Sequence, residues 1–97
     1  MDSFITVFRY DFKGNNSKKI DVMVKKSQGL KAAFPASKVS IDTITMGEHT
    51  SMRIMFSVKG TQQKIFTFMS AMFSFAQAEK LILVNQNFYP KDEKSNV

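Results

Sequence analysis

Cysteine and tryptophan are absent from these 97 residues, and histidine occurs once, at His49. Without cysteine there is no disulfide framework, no thiolate metal site and no thiol nucleophile. A single histidine rules out a His-rich metal cluster. A long hydrophobic run is also lacking. The longest apolar stretch, Ile65 to Ala76, is interrupted by Thr67, Ser70 and Ser74 and followed by Glu79 and Lys80. It falls well short of the roughly 20 residues a membrane span needs. The N-terminus alternates in polarity and has no basic segment ahead of an apolar one, so it does not read as a secretion signal.

What is present is an ordinary globular composition. A hydrophobic fraction of 43% against 23% charged residues argues for a packed core and against disorder. The length allows one domain, placed at residues 1–90, with 91–97 a flexible charged tail. The net charge of +6 is uneven. Between Arg9 and Lys38, eight basic residues face only Asp11 and Asp21, so the N-terminal third carries the whole excess.

Residues 3–12 alternate as a strand, with Phe4, Thr6, Phe8, Tyr10 and Phe12 on one face and Ile5, Val7, Arg9 and Asp11 on the other. Lys13-Gly14-Asn15-Asn16-Ser17 supplies turn chemistry. Residues 18–34 fit two descriptions. As a helix, Ile20, Met23, Val24, Ser27, Lys31 and Phe34 share a side. As a strand, Ile20, Val22 and Val24 alternate, and a strand to about Lys26 with a short helix over Gln28–Phe34 is the compromise. Val39, Ile41, Thr43 and Thr45 define a strand, and Gly47-Glu48-His49-Thr50 a turn. Met52, Ile54, Phe56 and Val58 define a half-buried strand. Thr61 is the expected N-cap of a helix over 61–78. Leu81–Val84 is a short apolar strand that turns polar at Asn85-Gln86-Asn87, and Tyr89-Pro90 ends it. The expected class is α+β: a ferredoxin-like two-layer sandwich if 18–34 is helical, a larger sheet crossed by one helix if it forms a hairpin.

The helix at 61–78 carries the clearest functional signal. Phe75, Phe68, Met72, Ile65, Ala76 and Met69 form the arc that packs on a sheet, and Phe66 and Phe73 widen it on one flank. The opposite face (Gln63, Lys64, Thr67, Ser70, Ala71, Ser74, Gln77, Ala78) carries one charge. On one reading, loop residues cover Phe66 and Phe73 inside the core. On the other, Phe66, Phe73, Ser70, Ser74 and Gln77 form an interface with a second copy or a partner, since small neutral side chains permit close approach.

Other candidates weigh less. His49 beside Glu48 has no nucleophile or second carboxylate near it in sequence. Asp11, Asp21 and Asp42 have no metal-ligand spacing, and Gly14, Gly29, Gly47 and Gly60 form no phosphate-binding fingerprint. The sequence therefore argues for a non-catalytic protein and implies no cofactor and no metal. Nucleic acid is the rival partner. Phe4, Phe8, Tyr10 and Phe12 could stack on bases while Arg9, Lys13, Lys18, Lys19, Lys25 and Lys26 meet phosphates. Arg53-Ile54-Met55-Phe56-Ser57-Val58, however, lacks the glycine and paired aromatics of an RNA-recognition motif.

Met52 to Gly60, leading into Ile65-Phe66-Thr67-Phe68-Met69 and then Leu81-Ile82-Leu83-Val84, resembles a known family over about residues 38–90. These are the ferredoxin-like periplasmic domains of type IV pilus and type II secretion assembly-platform proteins, the PilO and GspM kind. The resemblance implies a non-enzymatic domain that dimerises or heterodimerises. It also implies a periplasmic location if the chain is a fragment of an anchored assembly protein; apart from the resemblance, a complete chain is expected in the cytoplasm. The leading expectation is a self-associating interaction domain, a homodimer acting as scaffold or regulator. The alternative is a small basic nucleic-acid-binding regulator.

Overall fold

Alternation fixes the centre of the sheet. In the computed structural model, which describes residues 2–90, β1 (Asp2–Lys13) and β3 (His49–Gly60) are antiparallel neighbours along their whole length. Their inward rows are Phe4, Thr6, Phe8 and Phe12 from β1 and Met52, Ile54, Phe56 and Val58 from β3, all buried. The remaining elements are α1 (Ser17–Ala33), β2 (Ser37–Met46), α2 (Gln62–Ala78) and β4 (Ile82–Tyr89). All strand pairs are antiparallel, in the order β2-β3-β1-β4. This is the α+β ferredoxin-like βαββαβ arrangement, with β2 and β4 at the edges.

Of the two descriptions of residues 18–34, the helix is the one observed. It begins at Ser17 because the Asn16 side chain accepts the Lys18 N–H at 2.9 Å, and it ends before Pro35. Met23 and Ser27 are buried, and Ile20, Val24, Leu30 and Phe34 pack partly against the core. Val22, which the strand description grouped with Ile20 and Val24, is 49% exposed. The β propensity of Ile20, Val22 and Val24 gives way to a packing face with helical spacing.

Two boundaries differ from expectation. His49 is the first residue of β3 and not part of the turn: Met46 pairs with His49, leaving Gly47-Glu48 as a two-residue hairpin loop. Gly47 there has φ +61°, the left-handed conformation such loops require. β4 does not stop at Val84 but runs on through Asn85, Gln86 and Asn87 to Tyr89. The long β1 supplies partners for those polar residues from Val7 back to Ile5, and for Phe88 and Tyr89 at Phe4 and Ser3. The expected 91–97 tail lies outside the described residues.

The core sits between α2 and the β1–β3 pair. Ile65, Phe68, Met72 and Ala76 of α2 are buried over it. The Phe68 ring meets Phe56 edge-on at 6.2 Å and Phe34, at the end of α1, at 5.2 Å. Thr61 caps α2 as expected, its hydroxyl accepting the Lys64 N–H at 3.3 Å. β4 lies outside this cover, and every one of its eight residues is exposed.

Candidate interaction surface

The rotational setting of α2 decides where Phe66 and Phe73 point. Phe75 meets Phe56 of β3 at 6.1 Å, while Phe73 meets Phe8 of β1 at 6.3 Å, both edge-on. β1 lies between β3 and β4, so the Phe73 flank of the helix is the one turned toward β4. Phe66, seven residues earlier, lies on the same flank near the start of α2. Among the described residues, no loop covers either ring: Phe66 is 55% exposed and Phe73 36%. Ser70, Ser74 and Gln77 are exposed as well and continue the arc outward. All five residues expected at an interface thus lie on one continuous, uncharged strip of α2.

The sequence reading missed the other half of this surface. β4 reads Ile-Leu-Val-Asn-Gln-Asn-Phe-Tyr, without a charge. Phe88 pairs with Phe4, and Leu83 with Phe8, so both side chains lie on the helix-bearing side of the sheet. Tyr89, Asn87, Asn85 and Ile82 lie on the open side, opposite Ser3, Ile5, Val7 and Arg9. Leu83 at 49% and Phe88 at 38% exposure face the same space as Phe73 and Phe66. An extra residue at Val84 makes a β-bulge opposite the Val7–Phe8 step. It reverses the side-chain alternation, putting Leu83 and Ile82 on sides that simple counting from Phe88 would not give them. The available signal was an eight-residue segment without charge, but its central amides resemble a turn.

The aromatic residues and the cations expected for nucleic-acid binding do not share one surface. Phe4, Phe8 and Phe12 are 1%, 1% and 7% exposed, so they are core and not a stacking platform. They face inward because β1 is a central strand whose aromatic row is the one α2 covers. Tyr10 leans on Phe12 on that same side. Arg9 lies on the other side of the sheet, paired with Asp11 at 2.9 Å. Lys13 ends β1, Lys18 and Lys19 open α1, and the Lys19 ammonium lies 5.5 Å from the Phe12 ring centre. Lys25 and Lys26 are further along α1, and Lys26 is paired with Glu79 at 3.0 Å.

Among the described residues, no group of three or more histidine, cysteine or carboxylate side chains is placed to hold a metal. Asp11 accepts from Arg9 and, at 2.7 Å, from the Ser51 hydroxyl. Asp42 stands opposite Arg53, and Asp21 lies apart on α1. His49 is exposed at the end of the β2–β3 hairpin. A concavity of about 660 Å³ lies between residues 33–36 and the start of α2. Its lining includes Phe34, Pro35, Val58 and Thr67.

No family model matches the chain. No curated protein matches it either. Among solved structures, it is similar to the de novo designed protein Foldit4 over 94% of this chain and 99% of that one, with a TM-score of 0.62 and 8% identity. A second designed protein, Ferredog-Diesel, aligns over 89% of this chain and 82% of its own with a TM-score of 0.40 and 7% identity. The likeness to Foldit4 extends to the fold alone, which is the ferredoxin-like α+β sandwich already traced strand by strand.

Proposed function

We propose that this protein is a non-catalytic interaction domain that self-associates as a dimer and acts as a scaffold or regulator. One observation carries the reading: two phenylalanines on an uncharged helix face, 55% and 36% exposed, look onto an uncovered edge strand. Large apolar side chains gathered in one patch mark association surfaces, whereas singly scattered ones do not. The resemblance of residues 38–90 to the dimerising assembly-platform domains agrees with this role and adds no residue-level support of its own.

Sedimentation at micromolar concentration is the test. The expected result is a dimer that Phe66→Glu converts to a folded monomer, because Phe66 contributes little to the core. Phe73→Glu does the same with some loss of stability, since its ring also packs on Phe8. A strict monomer, unchanged by either substitution, overturns the proposal.

The alternative keeps one favouring observation. Lys18, Lys19, Lys25, Lys26 and Lys31 are all exposed on α1, against a single acid, Asp21. On this reading α1 contacts phosphates without base stacking, and affinity for oligonucleotides falls steeply as salt rises. Absence of binding at low salt removes it.

A further inference from the structure

We propose that β4 is the seam of the dimer: β4 of one copy pairs antiparallel with β4 of a second about a two-fold axis through Gln86. The two four-stranded sheets then become one continuous sheet. This inference rests on the self-association proposed above and names its geometry.

The strand is built to match itself. An exposed edge offers unpaired N–H and C=O groups to any incoming strand, and edges are commonly guarded by lysine, proline or inward-pointing charge. Ile82–Tyr89 has none of these within it, whereas β2, the opposite edge, carries Lys38 and Asp42. Directly paired residues of an antiparallel ladder must share a face. The bulge at Val84 therefore restricts which symmetric registers are possible. With Gln86 opposite Gln86 of the second copy, Asn85 meets Asn87, and beyond the bulge Leu83 meets Phe88 and Ile82 meets Tyr89. Every pair agrees in face, because the second β4 meets the bulge as β1 already does on the other side. Apolar residues oppose apolar ones twice on each face, and amides oppose amides between them. A two-fold axis perpendicular to the sheet keeps all four helices on one side and turns the Phe66–Phe73 flanks of the two α2 helices toward each other.

Charge and area both favour a second copy as the occupant. The chain carries +6 overall, so copies repel wherever lysines would meet, but β4 is neutral and α2 has only Lys64. At their observed exposures, Phe66, Phe73, Ile82, Leu83, Val84, Phe88 and Tyr89 leave on the order of 600 Å² of apolar surface open per copy. Burying most of this surface on both copies would reach the roughly 1,000 Å² below which specific interfaces are uncommon. One local contact must be exchanged: the Gln86 N–H is held at 2.8 Å by the Asn85 side chain, which releases it to the incoming strand.

The absence of cysteine makes the test clean. Across an antiparallel pair, Cα atoms are about 4.5–5.5 Å apart, within disulfide reach. Gln86→Cys, at an exposed position, is expected to give a covalent dimer under mild oxidation, whereas Asp42→Cys on the β2 edge stays monomeric on denaturing gels. Gln86→Lys puts like charges directly opposite and is expected to weaken the dimer by about tenfold or more. Mixing it with Gln86→Glu restores association, a rescue that a fold defect would not show. A chain that is monomeric throughout overturns both this inference and the proposed function, leaving the edge to a strand of some other protein. A dimer broken by Phe66→Glu but indifferent to Gln86→Lys, with no Gln86→Cys cross-link, overturns the seam alone.

Discussion

The two helices have the same length, 17 residues, and opposite characters. α1 carries five lysines and buries only Met23 and Ser27. It lies along β2, at the charged edge of the sheet. α2 carries one lysine, buries Ile65, Phe68, Met72 and Ala76 over the central strands, and has apolar surface left over on the β4 side. A small sandwich need not divide its work evenly. α2 supplies most of the helical share of the core, and α1 carries most of the helical charge. The proposed association surface lies on the neutral half, where copies would approach without lysines meeting.

The largest test of this contrast is stability. Phe68 touches Phe34 and Phe56 and is fully buried, so Phe68→Ala should cost about 3–5 kcal/mol, enough to unfold much of a domain this small. Met23→Ala, in the less buried helix, should cost about 2 kcal/mol, the low end for a core methionine. Urea unfolding of the two variants measures the gap. Equal losses would mean that α1 is as much a part of the core as α2, and the contrast would fail.

This asymmetry also governs how much was legible in the sequence. β1, β3 and α2 form the core, so each has a full periodic row of apolar residues, and each was readable. α1 was ambiguous because a helix lying on the sheet margin needs only a narrow face. Ile20, Val22 and Val24 then fit a strand as well as a helix, and the Asn16 cap and the packing of Phe34 on Phe68 decide between them. β4 was read too short because its partner is distant in the chain: nothing local shows that Asn85, Gln86 and Asn87 have Val7, Thr6 and Ile5 to pair with. The Phe66–Phe73 strip could be seen because a helix face is a local property. Leu83 and Phe88, its complement, could not, since the bulge that aligns them appears only in the ladder with β1.

A smaller test concerns how the helices end. α1 stops at a non-helical Phe34 ahead of Pro35. α2 stops in a Schellman arrangement: Leu81 N–H reaches the Ala76 carbonyl at 2.8 Å and Lys80 N–H the Gln77 carbonyl at 3.3 Å. The left-handed residue this requires is Lys80, at φ +59°, where glycine is the usual occupant. Lys80→Gly should therefore stabilise the protein by about 0.5–1 kcal/mol, the relief of strain exceeding the flexibility that glycine adds to the unfolded chain. A lower melting temperature would show that Lys80 contributes a favourable interaction outweighing its strain.

The smallest expected effect lies where the halves meet. Lys26 of α1 reaches Glu79, the C-cap residue of α2, at 3.0 Å, with 47% and 22% of the two side chains exposed. An ion pair this open to solvent is worth about 0.2–1 kcal/mol, and salt should erase most of it. A double-mutant cycle with Lys26→Ala and Glu79→Ala, run at low and high ionic strength, isolates the coupling from the helix-end effect of removing Glu79. A coupling near the lower bound means that the two helices are held in place separately by the sheet, and that the charged half can be altered without disturbing the neutral one. A salt-resistant coupling above about 1 kcal/mol would make the pair a structural tie between the helices. Changes to the lysines of α1 would then reach α2, and through it the strip that carries Phe66 and Phe73.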